Sequence, residues 1–251
     1  MIRLEANGAL AWLRLDRAAK RNAMTQAMWE AVPPLVAQAL DGGARVLLLA
    51  SAAPGIFCAG ADIAEFGAMA GDPAWRRANR LAIRATQRAL AGCPIPTIAV
   101  VDGDCVGGGC GMAMACDLRV AAPSARFGIT PAKLGLVYPL HDVALLVGLV
   151  GPAQAKRILF TGALLDAAEA QRIGLVDQLA EAPEAAAGTL AHDIAANAPS
   201  SNRGNKALVA RVLAGDIDDD AASAALFEAA FDGPDFAEGL AAFRARRPPR
   251  F

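Results

Sequence analysis

Two runs of small residues in this chain have the composition of turns that expose backbone N–H groups. The first is Phe57-Cys58-Ala59-Gly60-Ala61-Asp62-Ile63, and the second is Gly107-Gly108-Gly109-Cys110-Gly111. Each run comes after an apolar, strand-like segment and before a helix-like one. Two such turns side by side can direct two N–H groups at one carbonyl oxygen, which stabilises that oxygen as it becomes negative. The pattern predicts an enzyme whose reaction passes through an oxyanion.

The glycine run has two other interpretations. It is not a phosphate-binding loop, because no Lys-Ser/Thr pair follows the glycines and no acidic residue lies about twenty positions later to bind a ribose. Alternatively, Gly107–Gly109 could only allow a strand to pack closely on a helix. Its pairing with Phe57–Ile63 favours the functional interpretation.

The elements around these turns alternate between strands and helices. The hydrophobic patterns predict strands at Leu10–Leu15, Arg45–Ser51, Thr97–Asp102 and Leu118–Ala121, and helices at Thr25–Leu40, Trp75–Ala91, Gly109–Ala115 and Ala153–Phe160. Pro33-Pro34 should kink or split the first helix. Asp166 with Glu169 matches a capping box for a further helix, which Gly174 should end. The alternation predicts an α/β fold, and from Pro199 onward we expect mainly helices with apolar faces.

Composition excludes several classes of protein. The chain has 251 residues, 55% of them hydrophobic and 20% charged, with a net charge of −1, so we expect neither disorder nor nucleic-acid binding. The longest apolar stretches, such as Val143–Val150, are too short for a membrane span, and the N-terminus lacks the apolar core of a signal peptide. Five cysteines without a C-x-x-C motif predict reduced thiols and a cytoplasmic protein. Only two histidines are present, which leaves no spacing for a metal site.

Motifs along nearly the whole chain resemble the enoyl-CoA hydratase/isomerase, or crotonase, superfamily. They are Leu15-Asp16-Arg17 with Lys20–Met24, Phe57–Ile63, Val101–Asp117, Phe127-Gly128 with Lys133–Leu136, Phe160–Gly162, Ala167–Val176, and Glu238–Pro248. The resemblance implies an α/β fold built as a crotonase-like spiral of ββα units over residues 1–198. It also implies a C-terminal helical region, 199–251, that assembles the protein into a homotrimer or a dimer of trimers.

The same resemblance implies a site for acyl-CoA thioesters. It places the oxyanion donors at the N–H groups of Ala61 and Gly108, and it makes coenzyme A part of the substrate rather than a covalently bound cofactor. The residues that it implies for coenzyme A are Lys20, Ala59, Ala61, Asp62, Ile63, Phe243 and Arg246. For two of them a simpler interpretation stays open: Lys20 could be a solvated loop charge, and Asp62 could cap the next helix.

Two positions depart from the family pattern. Hydratases of this family carry one glutamate just after the glycine turn and another beyond the Phe-Gly pair, and this chain has Gly111 and Pro131 there. Adding water to an enoyl thioester needs groups that activate water and deliver a proton. Glycine and proline side chains do neither, so we do not expect standard hydration.

Three residues nearby could replace the missing glutamates: Tyr138, His141 and Asp142. The segment containing Tyr138 resembles methylmalonyl-CoA decarboxylase-like members in part, although those carry a histidine where this chain has Ala61. We predict catalytic roles for Tyr138 and His141, although His141 could instead cap a helix or lie at an interface. We interpret Asp142 as a cap for a helix at Val143–Val150. Isomerisation, decarboxylation and non-catalytic acyl-CoA binding stay open as alternatives.

Overall fold

The computed structural model describes residues 1–251 and shows an α/β fold with two sheets. The strands are β1 (Ile2–Asn7), β2 (Leu10–Leu15), β3 (Val46–Ser51), β4 (Thr97–Val101), β5 (Asp104–Val106), β6 (Leu118–Ala121), β7 (Arg126–Gly128), β8 (Leu165–Asp166) and β9 (Gln178–Leu179). The larger sheet has the order β1-β2-β3-β4-β6-β9, and the smaller has β5-β7-β8. In the larger sheet only the β1–β2 pair is antiparallel. The predicted α/β class is confirmed.

Ten helices surround these sheets. They are α1 (Gln26–Asp41), α2 (Ile63–Met69), α3 (Pro73–Ala91), α4 (Gly108–Ala115), α5 (Leu140–Thr161), α6 (Ala167–Arg172), α7 (Pro183–Ala195), α8 (Pro199–Ala214), α9 (Ala221–Phe231) and α10 (Pro234–Ala245). Short 3-10 turns occupy Ala18–Lys20 and Pro131–Leu134. The helices predicted from Pro199 onward are therefore confirmed.

The central strands are buried on both faces. Every residue of β3 and β4 is buried, as expected for parallel strands that are covered by helices on both sides. Residues 47 and 49 of β3 face a core that includes α1, α3 and α4. Residues 46, 48 and 50 face α7 instead, where Ala187, Ala191 and Ala195 recur every four residues and form a flat, small-residue surface. The hydrophobic patterns in the sequence did not predict α7.

Helix α1 continues without interruption through Pro33 and Pro34, so the predicted split is wrong. A proline at position 33 cannot donate to the carbonyl of Trp29, four residues earlier. That carbonyl accepts a hydrogen bond from the Thr86 hydroxyl of α3 at 2.7 Å instead. A partner from another helix therefore replaces the hydrogen bond that the proline removes.

Helix α5 is interrupted at Gly151, which has φ 72° and ψ 166°. By length and composition α5 is apolar enough to cross a membrane, with a mean hydropathy of 1.5. However, the break leaves two segments of about 16 Å each, and a span needs about 30 Å. Pro152 begins the second segment, which contains the predicted helix Ala153–Phe160.

Two further expectations concern the later helices. Asp166 accepts a hydrogen bond from the Glu169 N–H at 2.7 Å, but the Glu169 carboxylate pairs with Arg157 and Arg172. Only half of the predicted capping box is therefore present. In the last three helices, Phe227, Phe231, Phe236 and Phe243 are 45% to 81% exposed.

Candidate active site

The two small-residue turns lie against each other. A Cβ built on Gly60 would be 3.3 Å from the Gly108 nitrogen and 2.8 Å from the Val106 carbonyl oxygen. One built on Gly108 would be 3.8 Å from the Ala61 nitrogen. Gly60 also has φ 93°, a conformation that side chains rarely adopt. The glycines therefore bring the two backbones into contact.

The packing interpretation of the glycine run also holds in part. A Cβ on Gly109 would approach the Cys58 carbonyl oxygen to 2.6 Å, so Gly109 allows the second turn to pack on the first. This role does not compete with the functional interpretation, because it sets the distance between the turns.

Two N–H groups at this contact have no acceptor. Three neighbouring N–H groups are used within the chain: those of Ala59, Asp62 and Gly107 donate to the carbonyl oxygens of Arg21, Met24 and Gly128 at 2.9, 2.8 and 2.8 Å. Ala61 and Gly108 donate to no backbone or side-chain acceptor. Gly108 is the first residue of α4, where N–H groups have no partner within the helix and the helix dipole is positive. The arrangement can accept a partly negative oxygen.

Trp29 forms one wall beside Gly108. This tryptophan is fully buried, and a Cβ on Gly108 would lie 2.9 Å from two carbons of its ring. Glycine is therefore the residue that fits at position 108 without moving the ring.

Tyr138 supports the second turn. Its hydroxyl donates to the Gly107 carbonyl oxygen at 3.0 Å. Because the C=O and the following N–H of a trans peptide point in opposite directions, holding the Gly107 oxygen also orients the Gly108 N–H. Burial, with the nearby Asp142 charge, raises the pKa of the Tyr138 phenol well above its usual value. Tyr138 is thus a neutral donor close to the turn.

Three polar side chains surround Gly111, where the family pattern has a glutamate. A Cβ at Gly111 would lie 2.4 Å from Gln87 Nε2, 3.1 Å from the Tyr138 hydroxyl oxygen and 3.4 Å from Asp142 Cγ. Gln87 comes from α3 and is 1% exposed, and neither its Nε2 nor its Oε1 has a hydrogen-bond partner. The sequence reasoning missed Gln87. Its place on the face of α3 that also carries Leu90 was the available signal, because a glutamine on a buried face needs a partner.

Asp142 is not the helix cap that the sequence suggested. Pro139 occupies the cap position of α5, and Asp142 lies inside the first turn. The residue is 1% exposed, and its Oδ1 has no hydrogen-bond partner. His141 Nδ1 is 3.7 Å from that oxygen. Burial raises the pKa of the Asp142 carboxyl to about 6, while His141 acts in the opposite direction.

This buried carboxyl should make stability depend on pH. Because the pKa of the Asp142 carboxyl is raised in the folded state, the contribution of this group to folding stability is complete below about pH 4. It is lost as pH rises through about 6. This pKa shift corresponds to about 3 kcal/mol in the free energy of unfolding. For a chain of this size, each kcal/mol changes Tm by about 2–4 °C. Asp142→Asn should therefore raise Tm at pH 8 but hardly at pH 4.5. Thermal melts at both values check this, with the exposed Asp193→Asn as control. A constant difference between wild type and Asp142→Asn at both values would contradict it.

Apart from Asp62, which is buried, the remaining predicted residues are less enclosed. Asp62 caps α2 through Ala64 and Glu65, and it pairs with Arg17 at 2.6 Å, which confirms the capping interpretation of this residue. Lys20 and Arg246 are exposed, and Ile63 and Phe243 are 54% and 81% exposed. His141 is partly exposed, and its buried Nδ1 has no hydrogen-bond partner.

Comparison with known proteins identifies the family of this chain. The profile described as "Enoyl-CoA hydratase/isomerase" matches residues 5–251. The chain belongs to the enoyl-CoA hydratase/isomerase family. It is therefore an enzyme of the crotonase superfamily that processes acyl-CoA, as the sequence motifs predicted.

Individual members of the family are similar over nearly the whole chain. Human mitochondrial methylglutaconyl-CoA hydratase is 32% identical, over 98% of this chain and 75% of that protein. The bovine mitochondrial enoyl-CoA hydratase domain-containing protein 2 is 36% identical, over 98% and 85%. The crystal structure of an enoyl-CoA hydratase/carnithine racemase from Magnetospirillum magneticum is 35% identical, covers 100% of this chain and 94% of its own, and superposes with a TM-score of 0.94. The crotonase fold is thereby confirmed.

Proposed function

We propose that this enzyme holds the carbonyl oxygen of an acyl-CoA thioester with the N–H groups of Ala61 and Gly108 and stabilises the enolate that forms there. The observation that carries the proposal is that these two N–H groups are unpaired and lie at the contact between the two turns, while the N–H groups of Ala59, Asp62 and Gly107 are engaged within the chain. Each such donor contributes about 3 kcal/mol to transition-state stabilisation in comparable sites.

The reaction that we propose is not standard hydration. Gly111 and Pro131 supply no acid or base, and Gln87 fills the space beside Gly111. An isomerase needs only one group that moves a proton, so enoyl isomerisation fits the polar groups present better. Decarboxylation is a second candidate, which the position of Tyr138 near the site favours. The third candidate is a protein that binds acyl-CoA without catalysis, because such a protein would keep the oxyanion donors and lack the acid–base groups.

The coenzyme A part of the substrate would lie along the first turn, Phe57–Ile63, and extend to the surface. A cavity of about 290 Å³ beside Ala59 is also lined by Arg21, Asp104 and Arg126. Arg126 is paired with Asp104 at 2.8 Å, so Arg21 is the cation that supports a site for phosphate groups there. Lys20, Ile63, Phe243 and Arg246 remain the other proposed contacts, and their exposed side chains leave them free for a ligand.

The ligand class can be tested by calorimetry. Acetyl-CoA and crotonyl-CoA should bind, and free crotonic acid should not, because the coenzyme supplies much of the contact. Incubation in D₂O then distinguishes the candidates: deuterium entering the acyl chain without hydration indicates enolate chemistry, and binding without exchange indicates a non-catalytic binder. No heat and no thermal shift with either thioester would contradict the proposal.

The assembly is a further part of the proposal. We infer that residues 199–251 form a region that packs against neighbouring subunits in a trimer or a dimer of trimers. The exposed phenylalanines of α9 and α10, and apolar residues of α8 such as Val209 and Leu213 at 59% and 77% exposure, support this. Light scattering at micromolar concentration should report three or six subunits, and a monomer would contradict it.

A further inference from the structure

The Cys58 side chain lies inside the first small-residue turn and makes two hydrogen bonds there. Its thiol donates to the carbonyl oxygen of Asn22, with 3.1 Å between sulfur and oxygen, and accepts the Gly60 N–H at 3.4 Å. All three residues are buried, and these two backbone groups make no other hydrogen bond. The thiol therefore satisfies two buried backbone groups that otherwise have no partner.

The protonation state of the thiol suits this role. Burial raises the pKa of the Cys58 thiol to about 12, so the sulfur keeps its proton near neutral pH. A protonated thiol can donate one hydrogen bond and accept another, as Cys58 does here. Nucleophilic attack needs a thiolate, so the geometry and the protonation state both favour a structural use of this sulfur.

The segment that the thiol contacts also orients the Ala61 N–H. Met24, two residues after Asn22, donates its N–H to the Gly60 carbonyl oxygen at 2.8 Å. The Gly60 C=O and the Ala61 N–H belong to one trans peptide and point in opposite directions. Holding the Gly60 oxygen therefore directs the Ala61 N–H, in the way that Tyr138 directs its counterpart in the second turn.

The thiol fills a gap in the ladder of hydrogen bonds between residues 21–24 and the first turn. On one side of the gap Ala59 donates to Arg21 at 2.9 Å, and on the other Met24 donates to Gly60. Between them, Asn22 and Gly60 have φ values of 54° and 93°, which turn their polar groups away from each other. The Cys58 sulfur bridges these two groups and so completes the ladder.

We propose that Cys58 is a positioning residue of this site, whose thiol fixes the first turn so that the Ala61 N–H points at the thioester oxygen. This inference rests on the proposed function, since it needs that oxygen at Ala61 and Gly108. Without the thiol, the buried Gly60 N–H and Asn22 carbonyl oxygen have no partner. The backbone at Gly60 then turns to find new partners, and the Ala61 N–H on the next peptide turns with it.

The kinetic test follows deuterium entering C2 of butanoyl-CoA in D₂O. Cys58→Ala should lower kcat by about 10- to 100-fold, because a small misplacement of a catalytic group has effects of this size. KM should stay within about threefold, because the contacts to the coenzyme are kept. Cys58→Ser keeps a donor and an acceptor and should retain at least half of the wild-type kcat. Cys93→Ala removes a buried thiol outside both turns and is the control.

The infrared stretch of the thioester carbonyl gives a readout that does not depend on turnover. Hydrogen bonds from Ala61 and Gly108 polarise the carbonyl of bound crotonyl-CoA and lower its stretching frequency relative to the free thioester. The wild type and Cys58→Ser should show this shift in full, and Cys58→Ala should show a smaller one. If the thiol contributed only to packing, Cys58→Ala would lower Tm and leave the carbonyl frequency unchanged.

The outcomes separate this inference from the proposed function. A full carbonyl shift in Cys58→Ala overturns the role of Cys58 and leaves the oxyanion site intact. An equal loss of the shift in the alanine and serine variants also overturns it, because the loss then does not follow the hydrogen bonds. If Cys58→Ala does not fold, a full shift in Cys58→Ser supports the role and a reduced one contradicts it. A wild type that does not bind crotonyl-CoA, or binds it without a carbonyl shift, overturns the proposed oxyanion site and this inference with it.

Discussion

Gly108→Pro should reduce the turnover of an acyl-CoA thioester by about 10²- to 10³-fold, the loss expected when one oxyanion donor is removed. Proline has no N–H and is well tolerated at the first position of a helix, which is where Gly108 lies. The substitution therefore removes the donor without the usual cost of a proline within a helix. Steady-state rates with the thioester that shows exchange in D₂O are the measurement.

Gly108→Ala is the matched control for this variant. Both substitutions place a Cβ about 2.9 Å from the Trp29 ring, so they share this steric conflict, but alanine keeps the N–H and lacks the other ring carbons of proline. We therefore expect the alanine variant to lose only the part of the activity that depends on the position of Trp29. If the alanine and proline variants lose turnover equally, the loss comes from packing, and the Gly108 N–H is not an oxyanion donor.

Hydration of crotonyl-CoA by the wild type should be far slower than by a hydratase with both glutamates. A general acid or base typically contributes about 10²- to 10⁴-fold, and this chain has neither at positions 111 and 131. Residual hydration should fall further in Tyr138→Phe or His141→Ala, because Tyr138 lies next to Gly111 and His141 lies 3.7 Å from Asp142, which also lies there. Fast wild-type hydration unaffected by either change would show that the chemistry lies elsewhere.

The structure refines how hydration could be restored. In Gly111→Glu alone, the new Cβ would lie 2.4 Å from Gln87 Nε2, so the glutamine must rotate away. The double variant Gln87→Ala, Gly111→Glu removes that conflict and should hydrate crotonyl-CoA at least 10²-fold faster than the wild type. Gln87→Ala alone is the control and should show no such gain. Equal rates for the double variant and this control would mean that position 111 does not face the acyl chain.

Local sequence signals were sufficient to predict the parts of this fold that depend on neighbouring residues. The strands Leu10–Leu15 and Leu118–Ala121 were predicted with their observed ends, because alternation and dense apolar runs are local signals. The two small-residue turns were also found from sequence, since the glycines that allow their close approach are visible as residue types. The family motifs were likewise sufficient for the family assignment.

Other features were decided only by tertiary contacts. Helix α1 continues through its prolines because Thr86, more than fifty residues later, satisfies the carbonyl of Trp29. The Ala-rich segment became α7 because its small face packs on the central sheet. Strands as short as β8 and β9 have two residues each, and only pairing with distant strands defines them.

The same distinction applies to the site. The sequence showed that Gly111 lacks an acid, but it could not show that Gln87 from α3 occupies the space there. Asp142 was interpreted as a cap because of its place before an apolar helix. The structure instead starts that helix at Leu140 and buries the carboxyl among α3, α4 and α5. A cap is a local interaction, whereas the burial of a charge depends on which helices meet around it. The sequence therefore identified the backbone of the site, and only the tertiary structure identified the polar side chains that surround it.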